Sequence, residues 1–386
     1  MFTKGARVDQ DCACPSPFSE PEAGLAAHSS KPKRTLTAWL HLTEACNLDC
    51  AYCYALPTGR QMSAEIGQAA VRSLFNSAQQ HGFDGLKIKY AGGEPSLRFD
   101  LALDLHSLAQ RLAYETTLEL DAVMLSNGAS LTPAMLTKLQ ARGIRLSLSL
   151  DGLGADHDLQ RPDRSGGGSF RRLQNTLDEI AKLAGPDGLQ TSITITLTKL
   201  NLAGLPQTIR CLLARGLPFS LNFYRLSGRA EHPDLTPDPA ELIQALRAAY
   251  AELESLPGAA QVLLPGLADR LRPDFAHARP CGVGETYIAI DPLGRPARCH
   301  MDLAHPAAQL PVEDPLAAVR AQPGGVQNPG VDDKPDCRAC EWRYLCAGGC
   351  PLLAYRTTGS YGGRSPYCEV YRAVLPELMQ LASIGA

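Results

Sequence analysis

Three cysteines within eight positions, Cys46, Cys50 and Cys53 in "CNLDCAYC", form a C-x3-C-x2-C pattern with Tyr52 just before the last thiol. A tetrahedral zinc site takes a fourth protein ligand close by. A cubane iron–sulfur cluster held by three thiolates instead leaves one iron free to bind another group. The spacing alone admits both. Seven more cysteines lie beyond residue 280: Cys281, Cys299, Cys337, Cys340, Cys346, Cys350 and Cys368. The C-x2-C pair among them suits a zinc ribbon as well as a cluster. Cys12 and Cys14 sit in an N-terminal arm, and their spacing by itself gives them no role. Cys211, in the helix-like "TIRCLLARG", reads as a small buried hydrophobe.

Thirteen cysteines in 386 residues would be a disulfide framework in a secreted chain. Here the start, "MFTKGARVDQDCACPSPFSEPEAG", lacks the apolar core of a secretory signal, and no run of 18 apolar residues reads as a membrane span. The expectation is a cytoplasmic protein with metal sites in two separate parts. A net charge of −3 offers no basic field for nucleic acid or an anionic membrane, and neither is expected as a partner.

The elements that must carry these thiols follow from periodicity. Strand-like runs occur at 35–43, 86–91, 120–126, 144–150, 191–198 and 218–226. Helical spacing occupies 63–82, 131–143 and 169–185, the last two closing on glycine. Serial β–α units predict an α/β fold, a parallel sheet curved into a partial (β/α)6 TIM-like barrel. Its chemistry belongs on loops at the carboxyl ends of the strands, and the three-cysteine stretch follows the first strand directly. The expected division is a mobile arm (1–34), the barrel (35–230), a helical connection (231–280) and a C-terminal cysteine-rich iron–sulfur domain (281–386).

On these residues the chain resembles the radical S-adenosylmethionine (SAM) superfamily. Cys46, Cys50, Tyr52 and Cys53 match its C-x3-C-x-aromatic-C signature, and Gly92, Gly93, Glu94 and Pro95 match its GGEP segment. "SNG" at 126–128 and "SLDG" at 149–152 match segments at its third and fourth strand ends. The resemblance implies a [4Fe–4S] cluster on the three thiolates, with SAM chelated by the open iron. One electron then cleaves SAM to a 5′-deoxyadenosyl radical. It further implies SAM contacts from Tyr52, Gly92, Gly93, Glu94, Pro95, Ser126, Asn127, Ser149 and Asp151. Arg161, in "HDLQRPDRSGGGSF", is a candidate carboxylate clamp or a loop arginine.

The late cysteines read C-x12-G-x4-C, then C-x2-C-x5-C-x3-C, then a last C. This is similar to the SPASM extension of radical SAM enzymes, which binds two auxiliary [4Fe–4S] clusters and would bring the total to three. The resemblance implies an outer cluster on Cys337, Cys340, Cys346 and Cys368, and an inner one on Cys281, Cys299 and Cys350. The inner set lacks a fourth cysteine. Its remaining iron is open, or bound by His300, Cys12, Cys14 or substrate.

SPASM-containing relatives mostly modify peptides, so the leading expectation is oxidative crosslinking, C–C or thioether, in a ribosomally made precursor. Implied partners are a peptide or protein substrate and a low-potential electron donor such as flavodoxin or ferredoxin, while leader binding falls to the barrel, the SPASM region or a separate leader-binding protein. The alternative is formylglycine formation of the anaerobic sulfatase-maturase type, or another oxidation of a protein or small molecule. Maturases carry a basic aspartate just after the cysteine of the G-x4-C element. Here His300 stands there with Asp302 two further on, and both are weak catalytic candidates.

Overall fold

The computed structural model describes residues 33–55, 57–226, 233–254, 266–309 and 312–383. Most of the expected N-terminal arm, with Cys12 and Cys14, lies outside the described residues, as does 255–265 of the expected connection.

Six strands run parallel in sequence order: β1 Thr35–His41, β2 Gly85–Ala91, β3 Glu119–Ser126, β4 Arg145–Ser149, β5 Thr191–Leu197 and β6 Phe219–Phe223. The first five fall within a residue or two of their expected spans, and β6 ends three residues before its expected limit at 226. Alternation decides which face each residue takes. In β5, "TSITITL" buries Ile193, Ile195 and Leu197 on one side and leaves Ser192, Thr194 and Thr196 half-buried on the other. In β1 the same rule sends Leu36, Ala38 and Leu40 into the core and Thr37 and Trp39 to the concave face.

The convex face is covered by helices α1 Ala64–Gln80, α2 Phe99–Thr116, α3 Pro133–Ala141, α4 Ala155–Gln160, α5 Phe170–Lys182 and α6 Leu205–Ala214. Ser63 caps α1 by accepting the Ile66 N–H, and Thr132 caps α3 with proline at its first position. Helix α2 was not read from the sequence. It follows a 3-10 turn at Pro95–Arg98 directly, and Arg98 gives it no side-chain cap, so no start signal marks it. Helix α7, Pro239–Glu254, packs on α6.

The sheet does not stop at β1. Two short strands from the cysteine-rich region, β7 Tyr287–Ile290 and β8 Pro296–Ala297, extend it in the order β6-β5-β4-β3-β2-β1-β7-β8. β7 pairs parallel with β1, Thr37 opposite Tyr287, and β8 pairs antiparallel with β7. β7 carries no readable period in the sequence, because its four residues are buried nearly throughout. At the other edge, Asp269 N–H donates to Leu221 O at 2.8 Å, so the segment after 266 lies along β6. The rest is short helices: α8 Pro315–Ala321, α9 Arg343–Cys346, α10 Pro351–Thr358 and α11 Cys368–Ser383, the last packed on α7. Asp314 fixes this region to α1 by pairing with His81 (2.8 Å) and accepting from Ser77 Oγ (2.6 Å). Among the described residues no helix is long and apolar enough to cross a membrane.

Candidate functional site

The first thiol loop leaves β1 and is tied back to it by Met62 N–H to Leu42 O (2.9 Å) and Glu44 N–H to Arg60 O (2.8 Å). Between these ties the free thiols of Cys46, Cys50 and Cys53 lie within electrostatic reach of one another. Cys46 Sγ accepts from Leu48 N–H at 3.4 Å and lies 3.8 Å from Asn127 Nδ2. Cys50 Sγ lies 3.9 Å from Arg161 Nη1. Donors aimed at sulfur suit thiolates, whereas burial, with Cys53, Cys46 and Asp151 adding to it, pushes the Cys50 thiol up to about 12 against the pull of Arg161. A bound metal that displaces the proton resolves that conflict. Among the described residues no three Cys, His, Asp or Glu side chains converge as ligands of one metal ion must. In a cubane each thiolate takes a different iron, so the ligand sulfurs stand further apart.

Gly92 and Gly93 have a local reason to lack side chains. A Cβ at Gly92 would lie 2.5 Å from Thr43 O, and one at Gly93 2.4 Å from Ala45 O. The pair lets Gly93 N–H and Glu94 N–H bond Thr43 O and Ala45 O at 2.6 and 2.9 Å. The close approach is therefore made by the thiol loop's own backbone. Glu94 is fully buried. Its carboxylate accepts from Ser126 Oγ (2.7 Å), Ser96 N–H (3.0 Å) and Asn127 N–H (2.7 Å), which joins the ends of β2 and β3. Pro95 opens the 3-10 turn. Asn127 in turn donates to Asn47 Oδ1 at 2.7 Å inside the thiol loop.

Tyr52, Asp151 and Arg161 form one buried unit. Asp151 accepts from the Tyr52 hydroxyl, from Arg161 Nε at 2.6 Å and from Thr196 N–H at 2.8 Å. The Arg161 guanidinium stands 5.3 Å over the Tyr52 ring. Arg161 thus clamps a carboxylate, that of Asp151. Asp151 keeps the buried Arg161 guanidinium charged, and burial together with Asp151 keeps the Tyr52 phenol well above its ordinary value. Ser149 is half-buried on the concave face opposite Thr194. His157 braces the loop after α4, accepting from Asp151 N–H at 3.3 Å and meeting Ser169 Oγ at 3.1 Å.

The seven late thiols separate into two groups. Cys337, Cys340, Cys346 and Cys368 line one cavity of about 60 Å³, with Arg364 and Arg372 on its wall. Gly348, at φ 79°, lets the chain pass where a Cβ would meet Lys334 Nζ at 2.7 Å. Lys334, wholly buried, faces Cys337 and Cys346. Four thiols beside the buried Lys334 and the exposed Arg364 and Arg372 are a donor set that fits an anionic cluster. Cys281, Cys299 and Cys350 interact as the second group, nearer the barrel, and burial raises Cys299 to about 12. The Nε of Arg225, whose guanidinium reaches Cys350, is buried without a hydrogen-bond partner, which fits an anionic group not otherwise supplied.

Between the first thiol loop and the inner group stands an aromatic wall. His300 stacks on Trp39 at 4.2 Å, meets Tyr54 at 5.6 Å, and has its Nδ1 2.7 Å from the Tyr287 hydroxyl. Tyr54 feels both Cys53 and Cys299. Burial and the cations Lys89, Arg270 and Arg225 hold His300 neutral. Asp302 turns away to His305 at 2.7 Å, and 70% of that histidine's side chain is exposed. Lys89, beside Trp39 on the concave face, is pushed down to about 8 by burial and by Lys87. Trp39, Tyr54, Lys89, Arg225, Asp269 and Arg270 escaped the sequence reading. Alternation along β1 and β2 was the available signal for Trp39 and Lys89, and adjacency to Cys53 for Tyr54.

A parallel partial barrel with a three-thiol loop at its first strand end defines a class. Residues 40–212 match the Radical SAM superfamily, so the chain carries a radical SAM domain, an enzyme domain for which SAM and a [4Fe–4S] cluster are the implied cofactors. Over 375 residues it is 27% identical to the AdoMet-dependent heme synthase of Methanosarcina barkeri, covering 90% of this chain and 99% of that one. It is 25% identical over 342 residues to the PqqA peptide cyclase of Granulibacter bethesdensis, covering 85% and 86%. The fold is also that of anSMEcpe with bound AdoMet and Cp18Cys peptide, with a TM-score of 0.69, 17% identity and 90% and 99% coverage. Streptococcus suis SuiB bound to its precursor peptide SuiA superposes with a TM-score of 0.60, 15% identity and 87% and 76% coverage.

Proposed function

We propose that this enzyme oxidatively crosslinks residues of a ribosomally made peptide and carries three [4Fe–4S] clusters to do so. The observation that carries the reading is the grouping of the ten thiols. Cys46, Cys50 and Cys53 face the barrel mouth, Cys281, Cys299 and Cys350 lie across the wall at Tyr54, and Cys337, Cys340, Cys346 and Cys368 share one cavity. Similarity to PqqA peptide cyclases, and to the fold of a structure with a precursor peptide, supports a peptide as substrate.

When bound, SAM and the first cluster supply a 5′-deoxyadenosyl radical. The chain's part is to hold and aim. Glu94 and Asn127 pin the thiol loop, and the Tyr52–Asp151–Arg161 unit sets the wall beside it. Trp39 and His300 screen the site from water, and Lys89 and the serines and threonines of β4 and β5 line the concave surface for substrate. The substrate gives one hydrogen atom to the radical. It then loses a further electron and proton as the crosslink closes, and the inner thiol group lies where that electron would leave. A low-potential donor such as flavodoxin or ferredoxin would reduce the first cluster, and leader binding would fall to the barrel, the cysteine-rich region or a separate protein.

A second reading is oxidation of a small molecule, favoured by the likeness to a heme synthase over nearly its whole length. Formylglycine formation is less well served, because His300 is walled by aromatics and burial makes it a poor proton acceptor, and Asp302 faces an exposed histidine. The test is anaerobic turnover with SAM, dithionite and candidate precursor peptides, followed by mass spectrometry. A peptide lighter by two hydrogens supports crosslinking. SAM-dependent conversion of a haem precursor, and of none of the peptides, refutes it.

A further inference from the structure

Three elements far apart in sequence meet behind the inner thiols. Arg225 follows β6, Asp269 lies on the segment along the β6 edge, and Tyr371 belongs to α11. The Asp269 carboxylate pairs with the Arg225 guanidinium and accepts from the Tyr371 hydroxyl at 2.8 Å. Asp269 adopts φ 50°, a left-handed conformation that non-glycine residues avoid unless the surroundings impose it. Its N–H is held by Leu221 O and its side chain by two partners, so the strain serves to aim one carboxylate at one arginine.

The aim continues to sulfur. The Arg225 guanidinium reaches Cys350, while its Nε has no hydrogen-bond partner. Arg270, the next residue after Asp269, faces Cys281 and Cys350 and acts on Cys299. Asp269 is the one carboxylate found acting on both arginines among the described residues. Two guanidinium charges against one carboxylate leave a net positive charge buried beside three thiols. Such a charge is stable only with a counter-ion. An iron–sulfur cluster on three thiolates is an anion, and it becomes more negative on reduction, so a fixed cation beside it favours the reduced form.

We propose that Arg225, oriented by Asp269 and Tyr371, is a positioning residue that raises the reduction potential of a cluster held by Cys281, Cys299 and Cys350, with Arg270 adding to the effect. The inference rests on the three-cluster reading. It assigns the Asp269–Arg225 pair an electrostatic task, tuning the inner group as an electron acceptor apart from the outer one.

The test is a potentiometric titration followed by electron paramagnetic resonance on the anaerobically reconstituted full chain, with iron counted on every sample. In Arg225→Gln, one of three one-electron midpoints should fall by at least 59 mV, a tenfold change in that couple's equilibrium constant, and the other two should hold. Arg225→Lys, which keeps the charge but loses the fork, should shift less. Asp269→Asn removes the opposing charge and should move the same midpoint upward. Unmoved midpoints in Arg225→Gln and Asp269→Asn, with about twelve irons retained, overturn the proposal alone. Shifts of the same sign in both also overturn it, since a purely structural pair would give that. If Arg225→Gln loses iron, the Asp269→Asn midpoint decides. About four irons in the unsubstituted chain would overturn this proposal together with the three-cluster reading.

Discussion

Replacing Asp151 by asparagine keeps the volume of the side chain and removes its charge. The carboxylate is 1% exposed and its partner Arg161 7% exposed, with Nε at 2.6 Å. Breaking a buried pair by neutralising one member costs about 3–5 kcal/mol, because the other charge stays buried without compensation. The new amide NH2 adds a donor where Tyr52, Arg161 and Thr196 already supply three. Against a total stability of about 5–15 kcal/mol, this is a large fraction. Arg161 Nη1 also lies 3.9 Å from Cys50 Sγ, so an anionic cluster there would partly replace the lost carboxylate. Asp151→Asn should therefore lower the urea midpoint strongly in the metal-free protein and less in the reconstituted one. Asp151→Asn/Arg161→Met, which removes both charges, should be more stable than Asp151→Asn by about 1–2 kcal/mol. The assay is urea denaturation followed by circular dichroism on all three proteins in both forms. A single variant within about 0.5 kcal/mol of the parent, or a double variant showing the sum of two penalties, would refute the idea of a charge-dependent unit.

Gly93→Ala puts a methyl group 2.4 Å from Ala45 O, a backbone atom that cannot yield without moving the thiol loop. Overpacking of this kind costs about 1–3 kcal/mol. The variant should lose iron from the first site while the late thiols keep theirs, and normal iron with normal SAM cleavage would contradict the steric account. His41 and His157 are buried and lowered to about 4, below the ordinary 6.5, so the folded chain prefers them neutral and the unfolded chain takes up protons first. Their contribution is complete above pH about 6.5 and is lost as pH falls toward 4, on the order of 3 kcal/mol each. Denaturation midpoints should decline from pH 7 to 5, and a rise over that range would reverse the sign of this reasoning. Cys346→Ser removes one of the four thiols on the outer cavity and should lower the iron count by about four per chain. Cys211→Ala, altering a core cysteine on α6, should leave that count alone. Equal iron loss in the two would mean that the count reports folding and not ligation.

The serial β–α units of this chain are open to reading because each strand is long enough to alternate and each crossover long enough to turn. "TSITITL" and "SAEIGQAAVRSLFNSAQQHG" state their periods over seven residues or more. β7, at four residues, does not, and what places it is Tyr287 meeting Thr37 from the far end of the chain. The thiols were legible by type and spacing, while their expected division into a group of four and a group of three came from the SPASM resemblance. Their surroundings were not. Asp269 follows no motif, and only the fold brings Arg225 and Tyr371 to it. The roles expected of Glu94 and Asp151 illustrate a different limit. Residue identity announced polar groups at strand ends, and the structure adds that each carboxylate already receives three protein donors.

The parallel pairing of β7 with β1 has a consequence for how the molecule is made. Until residues near 287 have been synthesised, β1 is an edge strand, its sequence "TLTAWLH" presenting unpaired amides and an apolar face. Closing a contact between Thr37 and Tyr287 is a high-contact-order event and is expected to be slow. The nascent barrel must therefore wait, sticky along that edge, for a segment that also brings Cys281 and Cys299. The first strand is thus sealed and the inner thiols are delivered by the same docking step.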